Sequence, residues 1–455
     1  MKFLSARRLL TALVVPAATA VALTVPGAAS ASLGAQCSGA PIGGQGANAL
    51  LNAQTVWDAE FNTSKNKTAC AGQKGQGTGT PKVSYTKSSA SVGLESWGAN
   101  KHGSASFIPS NAFIGASEPP NALQKTEIEG YETTPTPNTL LSIPTVQTAI
   151  AIIVNLPTNC VATSKKDPGR LELNNVTLEG IFRGTITKWS QISDDGDTLS
   201  GTGCEPASSI IPIVRLDGAG TTHIFKKYLG LINSNSFTDE KEDEQTWNSV
   251  SEGVLNTDWP KAANVQRPTK TGDTAIDTTV ATTPGSISYT TFAEARANGS
   301  FAPSPGTGGP GTARFWVPIQ DNGLATTGKL KYADPSSNGD VDTVADSNCK
   351  DTEYTNGEVA FPPSSVLDPW DEVTTRTTEK KYSLCSIIVE LAFTNYSVYP
   401  GTSEEEATTV ANFFSFVTNT KSDGGQKLVE NHDYLALPKG KVLERAEEGA
   451  ALIGD

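Results

Sequence analysis

Histidine and methionine are almost missing from this sequence. Its 455 residues include three histidines, His102, His223 and His432, and one methionine, Met1. The histidines are too far apart to form a metal-ligand motif, no CxxC pair accompanies them, and a single initiator methionine rules out a methionine-rich site for soft metals. Neither a metal nor a cofactor is expected. A GxSxG nucleophile turn is also missing, which argues against a serine hydrolase. Beyond the N-terminal segment no stretch approaches the ~18 uninterrupted apolar residues of a membrane-spanning helix. Basic residues are in deficit, with 35 Lys+Arg against 48 Asp+Glu and a net charge of −13, so nucleic acid is excluded as a partner.

What is present begins with an export signal. Lys2, Arg7 and Arg8 form a basic start, Leu9 to Val25 an apolar run containing Pro16, and Ala29-Ser30-Ala31 a small-residue cleavage site. Residues 1–31 therefore read as a signal peptide that is removed, and a secreted, cell-surface or periplasmic location follows. Cys37 follows Gln36, which is not the small-residue context of a lipoprotein cysteine, so no lipid anchor is expected. Loss of the signal removes three basic residues and no acidic ones. An anion site in so acidic a chain has to work through backbone N–H groups and arginine at close range, not through a basic surface. The exported part holds all six cysteines. An even count in an exported protein suggests disulfides. Sequence alone leaves the connectivity open, and the spacing into three local pairs favours Cys37–Cys70, Cys160–Cys204 and Cys349–Cys385.

The length suits two lobes, and the alternation of strand and helix patterns suggests α/β architecture. The most informative stretch is Val214-Arg215-Leu216-Asp217-Gly218-Ala219-Gly220-Thr221-Thr222. It reads as a buried strand (210–214), a glycine loop, and a helix over 222–231, with Thr221 or Thr222 as its cap. A glycine loop at a helix start is an anion site, because the first helical N–H groups have no intrahelical partner and the dipole is positive there. Arg215 can add a bidentate fork. Two other turns share this character: Asn48-Ala49, where Asn48 caps a helix with Leu50, Ala53, Trp57 and Phe61 on its buried stripe, and Ser89-Ala90-Ser91. A strand at 112–116 ends at Ser117-Glu118, where open α/β sheets place ligand groups. One acceptor carboxylate, Glu118, among many donors favours a protonated oxyanion over a fully ionised one. The run at 143–156 reads as a central strand and 383–393 as a strand crossing back. The segments 298–312 and 332–382 read as irregular.

These stretches resemble, in sequence order, the exported phosphate-binding proteins of ABC-type phosphate uptake systems. The markers are Gly44-Gln45-Gly46-Ala47-Asn48, Phe113-Ile114-Gly115-Ala116-Ser117-Glu118-Pro119, Ile143-Pro144-Thr145-Val146, Ile181 to Trp189, Arg215 to Thr222, Pro284 to Tyr289 and Asp433-Tyr434-Leu435-Ala436-Leu437-Pro438. The resemblance implies a two-lobe, periplasmic-binding-protein-like (type II) fold with crossing strands as hinge, near Asn155 and Cys385. Lobe 1 would then comprise residues 32–155 and 385–455, and lobe 2 residues 156–384. It implies a monomer that binds inorganic phosphate and delivers it to an ABC permease. Arg215, Gly220 and Thr221 would bind phosphate, with Asn48, Ala49, Ser89, Ala90, Ser91 and Ala219 lining the site and Glu118 as acceptor. Ala219 and Ala90 stand where the family carries serine hydroxyls, Asn48 replaces a threonine, and Glu118 is one methylene longer than the family's aspartate. The alternatives are a same-fold binder of another oxyanion or a phosphorylated solute, a secreted phosphoesterase, and a surface protein that kept the fold without the ligand.

Overall fold

The computed structural model describes residues 39–63, 81–99, 111–117, 119–130, 140–163, 171–194, 197–205, 207–251, 256–303, 313–322, 330–336, 382–398 and 401–453. The signal segment, Glu118, Cys37, Cys70 and Cys349 lie outside the described residues, so the expectations placed on them are not addressed below.

The chain first lays down β1 (Pro41–Ala47), α1 (Leu51–Phe61), β2 (Lys82–Ser88), α2 (Ala90–Ser96), β3 (Phe113–Ala116), α3 (Ala122–Glu129) and β4 (Leu140–Asn155). It then builds α4 (Asn175–Arg183), β5 (Ile211–Pro212), α5 (Gly220–Ile232), α6 (Asp273–Thr282), β6 (Ser286–Thr291), α7 (Phe292–Asn298) and β7 (Arg314–Val317). It returns through β8 (Cys385–Phe393), α8 (Glu404–Val417), α9 (Gly425–Val429), β9 (Tyr434–Leu435) and α10 (Lys441–Leu452).

The organising element is β4. All 16 of its residues are buried, which is why its sequence is a near-continuous apolar run and not an alternation. At about 3.3 Å per residue it is long enough to serve two cores. Its first part, Leu140–Ala149, pairs antiparallel with β8, which in turn pairs with β3, and β3 lies parallel to β1 and β1 to β2. Its second part, Ile150–Asn155, pairs antiparallel with β6 and, from Ile152, with β7. Pro144 has no N–H to give to a ladder. The register with β8 shifts at that point, leaving Thr145 as the extra residue of a bulge. The Thr145 carbonyl is met instead by Gln426 Nε2 at 2.7 Å.

Two hydrophobic clusters result. One gathers Leu50, Trp57, Phe61, Ile114, Leu141, Val146, Val389 and Phe413; the other gathers Ile150, Ile153, Phe182, Phe225, Trp259, Ile287 and Tyr289. The stripe Leu50, Ala53, Trp57, Phe61 on α1 is buried as its helical spacing requires. In the second core the rings of Phe225 and Tyr289 stack at 4.5 Å and Phe182 meets Phe225 edge-on at 4.7 Å. The mixed α/β fold is thus two-lobed. β4 changes core between Val146 and Ala149, short of the expected Asn155, because its last residues are covered by β6 and β7; β8 does so between Cys385 and Ile387. The β9 residues Tyr434 and Leu435 pair with Thr148 and Gln147 at that same crossing.

Cys160 and Cys204 form a disulfide that ties the second lobe's small antiparallel sheet, in which Val161–Thr163 pairs with Asp197–Ser200. Cys385 is also disulfide-bonded. None of the described helices is long and apolar enough to cross a membrane.

Candidate functional site

The first lobe presents two helix starts and one strand end at the same edge. β1 approaches β3 so closely that a Cβ on Gly46 would stand 2.0 Å from the Gly115 carbonyl oxygen, and Gly46 has φ of 147°. Glycine is required there by both counts. The chain then enters a short 3-10 turn, Asn48–Leu50, that leads into α1. Tyr85 and Tyr434 donate to the carbonyls of Ala47 (3.0 Å) and Ala49 (2.8 Å) from the core side. With those carbonyls tied back, the N–H groups of the turn face the other way. The expected cap differs: Ala47 is the N-cap residue and Asn48 makes no capping hydrogen bond. Its amide is placed against the other lobe instead. At α2 the Ser89 hydroxyl accepts from Val92 N at 3.2 Å, so that oxygen serves the helix. Ala90 is buried behind it.

The second lobe answers with two more helix starts. α5 begins at Gly220, two residues before the expected position, with Ala219 as an N-cap that has no side-chain bond. The Ala219 N–H donates to Asn256 Oδ1 at 3.1 Å and is therefore committed within the lobe. Thr221, at the second position of α5, is buried, and the Thr222 hydroxyl is engaged with Tyr289 OH at 2.7 Å. Further along α5, Lys226 is buried, with its Nζ donating to the carbonyls of Val250, Asn256 and Asp258 at 3.0, 2.7 and 2.6 Å. Those bonds fix the segment that carries Asn256. α6 starts at Asp273 after Gly272.

Three approaches bring the two sets together. Ser91 Oγ donates to the Gly218 carbonyl at 3.2 Å. A Cβ on Gly220 would lie 2.1 Å from Ser117 Cβ, and one on Gly272 would lie 2.8 Å from Asn48 Nδ2. The N-termini of α1 (through its 3-10 turn), α2, α5 and α6 and the end of β3 thus meet at one place, where each helix start brings N–H groups without intrahelical partners.

Arg215 lies beside it, 2% exposed. Its Nε and Nη2 donate to the two oxygens of Asp217 at 2.9 and 2.6 Å, and its Nη1 donates to Asp273 Oδ1. Three of the five guanidinium N–H groups are thus committed to carboxylates. Burial opposes the charge of Arg215, but Asp273 and Asp217 outweigh it and hold its pKa above the ordinary value. Burial raises the pKa of Asp273, with Arg215 pulling it back. Burial likewise pushes that of Asp277, one turn along α6, well up, with the nearby carboxylates of Asp273 and Glu294 adding to it. One guanidinium between two carboxylates leaves no excess positive charge on side chains, so an anion at this place relies on backbone donors. Among the described residues no group of His, Cys, Asp and Glu is arranged to hold a metal.

The PBP superfamily domain matches residues 62–355. The chain belongs to the PBP superfamily. A 96-residue stretch is 38% identical to the phosphate-binding protein PstS of Haemophilus influenzae, covering 21% of this chain and 26% of that protein. This match spans about a quarter of the relative's length. The fold also resembles a periplasmic phosphate-binding protein solved with phosphate bound (PfluDING), with TM-score 0.53, 16% identity, and 90% of this chain and 92% of that chain covered. A phosphate-binding protein from Stenotrophomonas maltophilia superposes with TM-score 0.50 at 14% identity, over 90% of this chain and 93% of the other.

In this PBP-superfamily chain Asn48 comes against Gly272, and Ser91 against Gly218 in the loop that runs from Arg215 to Ala219, Gly220 and Thr221; Ala49, Ser89 and Ala90 are chain neighbours of Asn48 and Ser91, and Glu118 lies outside the described residues. Sequence reasoning missed Asn256, Gly272 and Asp273. Asp217 was in plain view beside Arg215. Thr271-Gly272-Asp273-Thr274 repeats the pattern of the other loops, a glycine followed by short polar residues at a helix start, and that was the available signal. Asn256 carried none, since it reaches Ala219 across 37 residues of chain.

Proposed function

We propose that this protein is an exported receptor that captures inorganic phosphate between its two lobes for delivery to an ABC-type permease. The observation that carries the reading is the meeting of helix starts from both lobes beside buried Arg215. An anion there receives N–H groups from each lobe at once, so binding it holds the lobes together. The names of the PstS relative and of the solved neighbours support phosphate as the anion. Charge supports it too. A protonated phosphate can donate a hydrogen bond to a carboxylate, whereas fully ionised sulfate is repelled by Asp217 and Asp273. The receptor acts as a monomer outside the membrane after residues 1–31 are removed, with no metal, cofactor or chemical step, and leaves a chromogenic phosphate ester unhydrolysed.

The test is calorimetric titration of the phosphate-stripped mature protein with phosphate and with sulfate, beside an Arg215→Gln/Asp273→Asn double variant. Replacing both Arg215 and Asp273 avoids leaving a fully buried carboxylate without its guanidinium, and the retained Asp217 is the more exposed of the two carboxylates. Phosphate binding by the wild type at ~micromolar Kd or tighter, weak sulfate binding, and loss of phosphate binding in a double variant that still melts cooperatively are expected. A wild type that ignores phosphate, or takes sulfate equally well, sinks the proposal.

A further inference from the structure

We propose that the Ser117 hydroxyl is a ligand-contacting group of the closed site, supplied by the first lobe to the anion held at the start of α5. This inference rests on the phosphate reading above and names a residue that reading does not use. The start of α5 is poor in hydroxyls where it needs them. Its N-cap residue, Ala219, ends in a methyl group, its Ala219 N–H is taken by Asn256, and the Thr222 hydroxyl is taken by Tyr289. What remains to face a ligand is the pair of N–H groups of Gly220 and Thr221 and the Thr221 side chain.

Ser117 sits directly against that end. It follows β3, is 3% exposed, and has no hydrogen-bond partner among the described residues. Its Cβ lies 2.1 Å and its Oγ 2.9 Å from the place a Cβ on Gly220 would occupy. The hydroxyl stands beside the first turn of α5. An oxyanion drawn there by the Gly220 and Thr221 N–H groups accepts from Ser117 Oγ as well. Because Ser117 belongs to one lobe and Gly220 to the other, this bond forms as the lobes close. It couples capture to closure.

The experiment uses the phosphate-stripped mature protein, as wild type, Ser117→Ala and Ser117→Gly. Phosphate affinity is measured by calorimetry, release by stopped flow, and the melting temperature is taken without phosphate. The expected result is a Kd about tenfold higher in Ser117→Ala, arising from faster release, with the phosphate-free melting temperature unchanged. Ser117→Ala that binds and releases as the wild type does overturns the proposal. If Ser117→Gly alone is then weakened, Ser117 matters through packing against Gly220, and the proposal is equally overturned. A wild type that binds no phosphate is a different failure: it removes the proposed function, and this inference with it.

Discussion

Arg215 is held from two sides, by Asp217 in its own loop and by Asp273 at the start of α6. Removing one partner of such a buried pair leaves an uncompensated charge, at a cost of roughly 3–5 kcal/mol. Arg215→Ala is therefore expected to lower unfolding stability by about that much even without phosphate. Arg215→Ala/Asp273→Asn should recover a large part of it, in urea unfolding curves, without recovering phosphate binding. Gly220 makes a second prediction. A Cβ there meets Ser117 Cβ at 2.1 Å, so Gly220→Ala is expected to hold the lobes apart. X-ray scattering should then show no phosphate-induced compaction, with stability close to wild type.

Asp58, on α1 in the first lobe, makes a third. Burial raises its pKa to about 7, partly offset by a hydrogen bond from the Tyr85 backbone. Glu390 on β8, bonded by Gln54, is pushed up in the same direction by burial and then by Asp58. An acid whose pKa is raised by folding keeps a proton that the unfolded chain gives up. Its contribution is greatest below the unfolded pKa near 4 and is lost as pH rises through about 7. Stability should therefore fall between those limits, and Asp58→Asn should flatten the slope in a pH series of melting curves.

At the scale of elements, legibility in the sequence followed the source of each element's stability. β4 was readable because burial on both faces favours a largely apolar run, and α5 because Phe225, Tyr228 and Leu229 recur at helical spacing. α2 was read as a turn. Its seven residues, Ala-Ser-Val-Gly-Leu-Glu-Ser, are too few to show a period and include a glycine that packs against Ile114. α6 was not recognised, because Asp273–Thr282 is rich in β-branched threonine and depends on Ile276 and Val280 being covered by the second core. The site followed the same division. Glycine loops that precede a helix announce themselves, whereas a residue that acts by crossing from another loop, as Asn256 and Asp273 do, has no local mark. The disulfide belongs to this scale as well. Cys160 and Cys204 are separated by 44 residues, and closing a loop of that length stabilises by roughly 4 kcal/mol in the chain-entropy account. Replacing both with alanine should lower stability by about that amount in denaturant titrations.

For the whole molecule, the relevant quantity is a net charge of −13. The global field opposes an approaching anion while the helix starts attract it at short range. Salt screens the first more than the second, since the Debye length is about 10 Å at 0.1 M. The association rate for phosphate is therefore expected to rise with ionic strength, against the usual trend for a receptor that steers its ligand. Stopped-flow measurements at several salt concentrations decide the sign.

The strand shared by two cores also sets an order of events at birth. β4 leaves the ribosome, and crosses the membrane if exported as a thread, long before β8, its partner along Leu140–Ala149. Until residues 385–393 arrive, one flank of a wholly buried strand has nothing of its own to pair with. Closing so long a loop is slow. The first lobe can become whole only when nearly all of the polypeptide is present.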